Sequence, residues 1–318
     1  MQAVVNRIEK DLLSGHSEGE SVFVSQKGQT LLQQHFGNAK ENSLFRMASM
    51  TKPVTAVAVL SLVQEKKLQL SDPVVKYLPG FPFNLQIGHL LSHCSGLSQT
   101  YYAQNITDAY RKDPELLVDF IASVPFDHDP GTHAEYNPVA AYALLTAIIE
   151  RVAQMDFATF ADQVIFKPLG MEDSTFLPTK EQWARLVFLE NVTPGCIFEQ
   201  YPVTNPLGGA GMVSSLEDYK KFANMLLNGK EGILSPEMIK IMVTPGLGNW
   251  GCGVRVVGKN NRLPEGSFGW SGAYGTHFWV DPKNEIVAIY LKNSRKDGGA
   301  SAITAAHFEQ DVYAAFDK

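Results

Sequence analysis

The stretch FRMASMTKPVTAVAVLSLV, residues 45–63, decides the fold, because it sets a serine, a lysine and a proline at the head of an apolar helix. Pro53 is compatible with a first helical turn, whose N–H groups have no partner within the helix. Side chains three positions apart on a helix share one face, with about 5–6 Å between their Cβ atoms. The spacing therefore predicts a helix that begins at Ser49 and on which Lys52 reaches the Ser49 hydroxyl.

Two interpretations of this stretch are open. In the structural one, Ser49 caps a helix whose apolar residues pack into a core. In the catalytic one, Ser49 is a nucleophile and Lys52 is its base, because burial lowers the pKa of a lysine and a helix start favours an oxyanion. Ser49 is the one serine in the chain with a lysine three positions on. That spacing alone does not decide between the two.

Composition limits the possible functions. The chain has 318 residues, 45% of them apolar, which predicts about two domains with a large core. Its net charge is -6, and its lysines and arginines do not cluster. Binding to nucleic acid requires clustered positive charge. We therefore expect no nucleic-acid partner.

The sequence also predicts a cytoplasmic location. The segment MQAVVNRIEKDLLSG, residues 1–15, has apolar residues at helical spacing rather than the pattern of a signal peptide. The longest apolar run, residues 54–63, is shorter than the roughly 20 residues that span a membrane. Cys94, Cys196 and Cys252 are scattered and odd in number, which is typical of reduced thiols.

The order of predicted elements indicates an α+β fold. A helix at the N-terminus precedes a hairpin over residues 21–37 that turns at residues 26–28. Residues 73–246 are mostly helical, with caps and glycine stops between helices. The last seventy residues return to strands and end in a helix from about Gly299 to Phe316. We predict a mainly antiparallel sheet domain formed by residues 1–72 and 247–318, with residues 73–246 as an inserted helical domain.

Other candidate sites are weaker. GWSGA, residues 269–273, departs from the G-x-S-x-G nucleophile motif at its last position, where Ala273 stands. His89 and His93 lie four apart, but no glutamate and no third ligand accompany them. We therefore predict no metal site.

Six segments, taken in order, resemble the serine hydrolases related to class C β-lactamases. This family includes penicillin-binding proteins, D-aminopeptidases and family VIII carboxylesterases. The first segment is the helix discussed above with its continuation to residue 81. The other five are HLLSHCSGL, PGTHAEYNPVAAYALLTAIIE, IFKPLGMEDSTF, GGAGMVSSLEDYKKFANMLL and GWSGAYGTHFWVDP.

The resemblance implies roles for individual residues. Ser49 matches the nucleophile, Lys52 its lysine partner and Tyr136 the tyrosine of the Y-x-N motif. Residues 270–272, Trp-Ser-Gly, occupy the place of the K-T-G motif and, with Asn137, would contact the substrate. The backbone N–H groups of Ser49 and Ala273 would form the oxyanion hole, a role that needs no side chain.

Two departures from the family pattern bear on the substrate. Pro138 stands where the Y-x-N asparagine is expected, and Asn137 comes one residue early. Trp270 replaces the K-T-G lysine, which helps to anchor a substrate carboxylate; family VIII carboxylesterases are similar in carrying W-x-G there. We therefore expect an esterase that acts on small neutral esters without a cofactor. A β-lactamase, a D-amino-acid peptidase and a non-catalytic ligand-binding domain remain alternatives, and the oligomeric state stays open.

Overall fold

The computed structural model describes residues 1–107, 109, 113–187, 203–230, 233–259, 261–298 and 303–316, and the side chains of these residues except 303–306. The helices are α1 (Gln2–Leu13), α2 (Thr51–Gln64), α3 (Ile87–Leu91), α4 (Gln99–Asn105), α5 (Pro114–Ser123), α6 (Ala140–Ala153), α7 (Phe157–Ala161), α8 (Lys167–Leu169), α9 (Lys180–Ala184), α10 (Leu216–Asn228), α11 (Pro236–Met242) and α12 (Ile303–Ala314). The strands are β1 (Gly19–Gln26), β2 (Gln29–Gly37), β3 (Phe45–Arg46), β4 (Val213–Ser214), β5 (Arg255–Val256), β6 (Phe268–Ser271), β7 (His277–Asp281) and β8 (Ile286–Lys292).

Six strands form one antiparallel sheet in the order β2-β1-β8-β7-β6-β5. Inside the sheet β1 pairs with β8, where Phe23 lies opposite Ile289. Strands from both ends of the chain therefore share a sheet, and the predicted α+β fold with a mainly antiparallel sheet is confirmed. The division into domains at residues 72 and 247 stays a prediction.

The predicted hairpin is confirmed as β1 and β2. Lys27 and Gly28 form its turn with φ values of 50° and 74°. A two-residue turn with two positive φ values matches the right-handed twist of the strands that it joins. The turn therefore sets the register of β1 against β2 next to the hairpin, where Gln26 lies opposite Gln29 and Ser25 lies opposite Thr30.

The two faces of the sheet pack against different helices. Side chains alternate along a strand, so Val22 and Val24 lie on one face of β1 and Phe23 lies on the other. Val22 and Val24 pack in a cluster with Ile8 of α1 and Val312 of α12. Phe23 belongs to the larger core, which contains α2 and the central helices. The sheet is thus covered by the terminal helices on one side and by the helical part on the other.

Helix α2 lies inside the larger core. Every residue from Thr51 to Leu62 is buried, as expected for a helix without a polar face. The helix begins two residues later than predicted, because Ser49 lies in a 3₁₀ turn formed by Ala48–Met50. Ala48 has a φ of 47°, and such uncommon backbone conformations cluster at functional sites.

Helices α3 to α11 lie between residues 87 and 242, within the stretch 73–246 that we predicted to be mostly helical. Asp113, Ser215 and Ser235 accept backbone N–H groups at the starts of α5, α10 and α11. Gly170 and Gly229, both with positive φ, end α8 and α10. The sequence does not predict the short pairing of β3 with β4, because two residues are too few to show alternation.

The C-terminal part follows the predicted pattern where it is described. The turn between β7 and β8 is held by Asp281 Oδ1, which accepts the N–H groups of Lys283 and Asn284. The final helix is described from Ile303 to Ala314. Residues 299–302, where we predicted its start, lie outside the described residues, as does Cys196.

Candidate active site

The 3₁₀ turn before α2 brings Ser49 and Lys52 together. Lys52 Nζ lies 3.2 Å from Ser49 Oγ. The same Nζ lies 2.7 Å from the carbonyl oxygen of Pro138 and 2.8 Å from that of Gly209. The prediction that Lys52 reaches the Ser49 hydroxyl is confirmed.

The surroundings of Lys52 favour its neutral form. Its side chain is fully buried, and this burial lowers the pKa of Lys52 from 10.5 to about 7. A neutral amine has two N–H groups and one lone pair. If the N–H groups donate to Pro138 and Gly209, the lone pair is left for the O–H of Ser49. All three contacts then suit a base poised to take the proton of Ser49.

Tyr136 also contacts Ser49. Its hydroxyl donates to Ser49 Oγ across 2.7 Å. Burial raises the pKa of Tyr136, while contacts with Ser49 and Trp270 act in the other direction. Tyr136 therefore keeps its proton near pH 7, where Lys52 is partly neutral. Two groups whose pKa values are pushed apart are suited to act as acid and base.

Three aromatic rings surround Tyr136. The ring centroids of His93, Trp250 and Trp270 lie 4.7, 5.8 and 5.2 Å from that of Tyr136. Trp250 and Trp270 also contact each other edge to face, at 4.5 Å. Aromatic contacts of this kind restrict the rotation of a side chain. We infer that this cluster fixes the direction of the Tyr136 hydroxyl.

His93 belongs to this aromatic cluster. It is buried, and its Nδ1 accepts the backbone N–H of Asn137 at 3.2 Å. Burial and the charge of Lys52 hold the pKa of His93 well below its usual range, so the ring is neutral. His89 instead accepts the backbone N–H of Gln86 at the start of α3. Within the described residues, no three His, Cys, Asp or Glu side chains are placed to hold a metal ion.

Asn137 and Pro138 lie just before α6. Asn137 is 2% exposed, and its Oδ1 accepts the N–H of Ala141 at 3.3 Å. Its Nδ2 is buried without a hydrogen-bond partner among the residues that the structure describes. Pro138 contributes its carbonyl group to Lys52. Substrate binding by Asn137 stays a prediction.

The end of β6 lies against the turn that carries Ser49. A Cβ atom on Gly272 would come within 2.3 Å of the Met47 carbonyl oxygen, so glycine permits this close approach. Ala273 follows directly and is exposed. An oxyanion hole formed by the N–H groups of Ser49 and Ala273 agrees with this placement and stays a prediction.

Ser271 makes contacts of its own. Its Oγ lies 2.7 Å from His277 Nδ1, and His277 Nε2 lies 3.0 Å from Glu309 Oε1. Ser271 and Trp270 line a cavity of about 360 Å³, to which Glu309 also contributes. The substrate-binding roles of Ser271, Trp270 and Gly272 stay predictions.

Two arginines line the same cavity as Trp270. They are Arg255 and Arg262, and both are exposed. The guanidinium group of Arg255 lies 5.8 Å from the ring centroid of Trp250. Positive charge is therefore present near Trp270, although the lysine of the K-T-G motif is absent.

Comparison with known proteins agrees with this geometry. The family model described as Beta-lactamase matches residues 5–311. The chain belongs to the beta-lactamase family. The predicted family is confirmed, and with it the prediction that the protein is a serine hydrolase of the β-lactamase-related type, which acts on small molecules.

Curated relatives share about a quarter of the residues. Esterase EstB of Burkholderia gladioli is 28% identical over 333 residues, covering 86% of this chain and 83% of the esterase. Protein Rv1367c of Mycobacterium tuberculosis (strain ATCC 25618 / H37Rv) is 28% identical over 327 residues, covering 84% of this chain and 81% of that protein.

Solved structures show the same fold. EstCE1, a hydrolase with promiscuous acyltransferase activity, superposes with a TM-score of 0.85 at 22% identity, over 98% of this chain and 99% of that one. A family VIII carboxylesterase gives 0.84 at 18% identity, over 98% and 96%. The octameric penicillin-binding protein homologue from Pyrococcus abyssi gives 0.82 at 25% identity, over 99% and 77%.

The site contains two further residues, Gly208 and Gly209, to which the sequence assigned no role. A Cβ atom on Gly208 would lie 2.3 Å from Thr146 Oγ1, and one on Gly209 would lie 3.2 Å from the Pro138 carbonyl oxygen. The Gly208-Gly209 pair thus lets the chain approach closely enough to offer a carbonyl group to Lys52. Two adjacent glycines were the feature of the sequence that could have indicated this close approach.

The length and apolar character of the helices bear on whether the chain crosses a membrane. Within the described residues, no helix combines the length and apolar character needed to cross a bilayer. The cytoplasmic location stays a prediction.

Proposed function

We propose that the protein hydrolyses small neutral esters through an acyl-enzyme on Ser49. One observation carries the proposal: Ser49 Oγ lies between Lys52 Nζ at 3.2 Å and the Tyr136 hydroxyl at 2.7 Å. A nucleophile within hydrogen-bond reach of a base and an acid is the arrangement that covalent catalysis requires.

Acylation uses the two groups in sequence. Neutral Lys52 takes the proton of Ser49 while Oγ attacks the ester carbonyl carbon. The N–H groups of Ser49 and Ala273 hold the negative charge that develops on the carbonyl oxygen. When the C–O bond to the alcohol breaks, Tyr136 gives its proton to the leaving oxygen and recovers one from Lys52.

Deacylation reuses the same pair. After the alcohol leaves, Lys52 is again neutral and Tyr136 is again protonated. A water molecule that takes the place of the alcohol loses its proton toward Tyr136 and Lys52 as it attacks the acyl carbon. The acid is released when Ser49 Oγ takes this proton back. Protons move only within the complex, so no step changes the net charge of the enzyme together with its bound substrate.

Two residues favour esters over amides and lactams. Trp270 stands where the family's lysine would anchor a carboxylate, and Pro138 has no N–H to offer a substrate amide. An alkoxide leaving group needs less protonation than an amine. An ester can therefore react without the contacts that the family's lysine and asparagine would make. The similarity to esterase EstB agrees with this choice.

A β-lactamase or D-amino-acid peptidase is the second candidate. Arg255 and Arg262 line the cavity next to Trp270, and guanidinium groups bind carboxylates well. Their exposure argues against a strong anchor, because water screens exposed charge. A domain that acylates without turnover is a third candidate, which would give a burst and no steady state.

An alkyl fluorophosphonate and a substrate panel test the proposal. The probe should form an adduct on Ser49, and p-nitrophenyl acetate should be hydrolysed in a steady state. Benzylpenicillin and a peptide ending in D-Ala-D-Ala should be poor substrates. Unmodified Ser49 in a protein that turns over the ester would contradict the assignment.

A further inference from the structure

A second serine beside the active site has the contacts of an activated nucleophile. Ser271 Oγ lies 2.7 Å from His277 Nδ1, and His277 Nε2 lies 3.0 Å from Glu309 Oε1. A serine, a base and a carboxylate that orients the base form the arrangement by which triads are identified, whatever their order in the chain. Ser271 is also the serine of the GWSGA segment, and the mechanism proposed at Ser49 assigns no proton or bond transfer to its hydroxyl.

The three side chains come from separate elements. Ser271 ends β6, His277 begins β7, and Glu309 lies on α12. His277 is 8% exposed, so its ring is largely shielded from water. If Nε2–H donates to Glu309, Nδ1 is left to accept the O–H of Ser271. The carboxylate thus selects the tautomer in which the histidine is a base toward this serine.

A cavity gives small molecules access to the serine. Its volume is about 360 Å³, within the range of about 300–1,000 Å³ that holds small ligands. Apolar walls are supplied by Val257, Leu263 and Phe268, and positive charge by Arg255 and Arg262. Ser49, Lys52 and Tyr136 do not line this cavity. The site therefore combines a nucleophile, a base and apolar walls with two exposed arginines in its lining.

We propose that Ser271 is a second acyl acceptor, which reacts with activated esters of small acids. The O–H proton of Ser271 passes to His277 Nδ1 while Oγ bonds to the ester carbonyl carbon. The C–O bond to the alcohol then breaks, and the leaving oxygen takes the proton from His277. Water reverses these transfers and releases the acid. Glu309 acts as a positioning residue, since it holds the imidazole ring.

The test removes the first nucleophile and labels the second. A Ser49→Ala variant is treated with an alkyl fluorophosphonate, whose fluoride leaves as the serine bonds to phosphorus, and the adduct is located by peptide mass spectrometry. We expect an adduct on Ser271 that disappears in S49A/S271A. Ser267 is fully buried four residues earlier, so S49A/S267A serves as the matched control and should still label.

Glu309→Gln separates a reactive triad from a structural link between α12 and the sheet. We expect labelling of Ser271 in S49A/E309Q to slow by at least about tenfold, since loss of the orienting carboxylate removes the correct tautomer. A structural link alone would lower the melting temperature and leave the labelling rate unchanged.

The labelling results at Ser271 can be distinguished from those at Ser49. No adduct on Ser271 in folded Ser49→Ala protein would overturn this inference, whatever happens at Ser49 in the wild type. An equal labelling rate in S49A/E309Q would overturn the role of the triad. An adduct on Ser271 in a wild-type protein whose Ser49 stays unmodified would instead contradict the proposed function.

Discussion

The Tyr136 hydroxyl donates to Ser49 Oγ across 2.7 Å, although 87 positions separate the two residues in the chain. Tyr136 precedes α6, which packs beside α2 in the larger core. The contact therefore depends on the packing of two buried helices. Each part of the proposed chemistry at this contact has a measurable consequence.

Ser49→Ala should abolish ester hydrolysis while the fold stays intact. The hydroxyl is the nucleophile, so we expect kcat/KM for p-nitrophenyl acetate to fall by at least about 10³-fold. Circular dichroism and the melting temperature should change little, because one oxygen atom is removed from a partly exposed side chain. Retention of most of the activity would contradict the proposed nucleophile.

The rate should rise with pH through the pKa of Lys52. Burial lowers this pKa to about 7, and the neutral amine is the active form. Below pH 7 the protonated form predominates, so kcat/KM should fall about tenfold per pH unit. Lys52→Met should remove the activity at every pH. A profile that stays flat between pH 5 and 8 would contradict the role of Lys52 as base.

Tyr136→Phe should lower kcat for esters by about 10²–10⁴-fold, the range expected for loss of a general acid. Tyr142→Phe is the matched control, because the ring centroids of both tyrosines lie close to Lys52 Nζ, at 5.1 Å for Tyr142 and 5.2 Å for Tyr136. The Tyr142 hydroxyl donates to the Leu91 carbonyl group instead of to Ser49. We expect that variant to lose about 1 kcal/mol of stability and to keep kcat within a few-fold. Equal losses of kcat would favour a packing effect over acid catalysis.

Glu20 should make the protein less stable as the pH rises. Burial raises the pKa of Glu20 from 4.5 to about 7. Between these values the folded protein keeps a proton that the unfolded chain releases, so stability is full below pH 4.5 and falls up to pH 7. The loss is about 3 kcal/mol, since one pKa unit is worth about 1.4 kcal/mol.

Glu20→Gln should flatten this dependence. Urea unfolding at pH 5 and pH 8 should show a smaller drop in the free energy of unfolding than in the wild type. Glu9→Gln, at an exposed position of α1, is the control and should keep the wild-type difference. An unchanged difference in Glu20→Gln would mean that Glu20 is ionised in the folded protein.

The sequence predicted local features better than long-range ones. Lys52 and Ser49 lie within one turn, so helical spacing was enough to predict their contact. The hairpin turn at Lys27 and Gly28 was recognisable because Gly28, a residue type that suits positive φ, stands between two strand-like runs. Tyr136 showed no local signal and was found through the resemblance to a family.

The features that sequence reasoning missed depend on tertiary packing. Gly209 offers its carbonyl group to Lys52 from 157 positions away. Ser271 and Glu309 meet at His277 because β6, β7 and α12 lie together. No periodicity encodes such contacts, since they arise where separate elements pack.

Substrate choice should follow from Trp270 and Pro138. Without the family's lysine, the site lacks a charge-assisted contact to a carboxylate that is worth roughly 1.5–3 kcal/mol where it is made. Because Pro138 offers no hydrogen-bond donor, the transition state of an amide substrate loses about 1–3 kcal/mol more of stabilisation. Losses on this scale weaken transition-state binding of carboxylate-bearing amides by on the order of 10²–10⁴-fold. We therefore expect kcat/KM for p-nitrophenyl acetate to exceed that for benzylpenicillin by at least about a hundredfold.

Three variants identify the cause of this preference. Trp270→Lys should raise kcat/KM for benzylpenicillin by about tenfold or more relative to the ester, because it restores a cation at the family's position. Arg255→Ala and Arg262→Ala should leave benzylpenicillin hydrolysis as slow as in the wild type, since both guanidinium groups are exposed. Comparable values for the two substrates in the wild type, with a loss of penicillin hydrolysis in either arginine variant, would show that the arginines supply the anchor. That result would support a β-lactamase or peptidase function in place of the proposed esterase function.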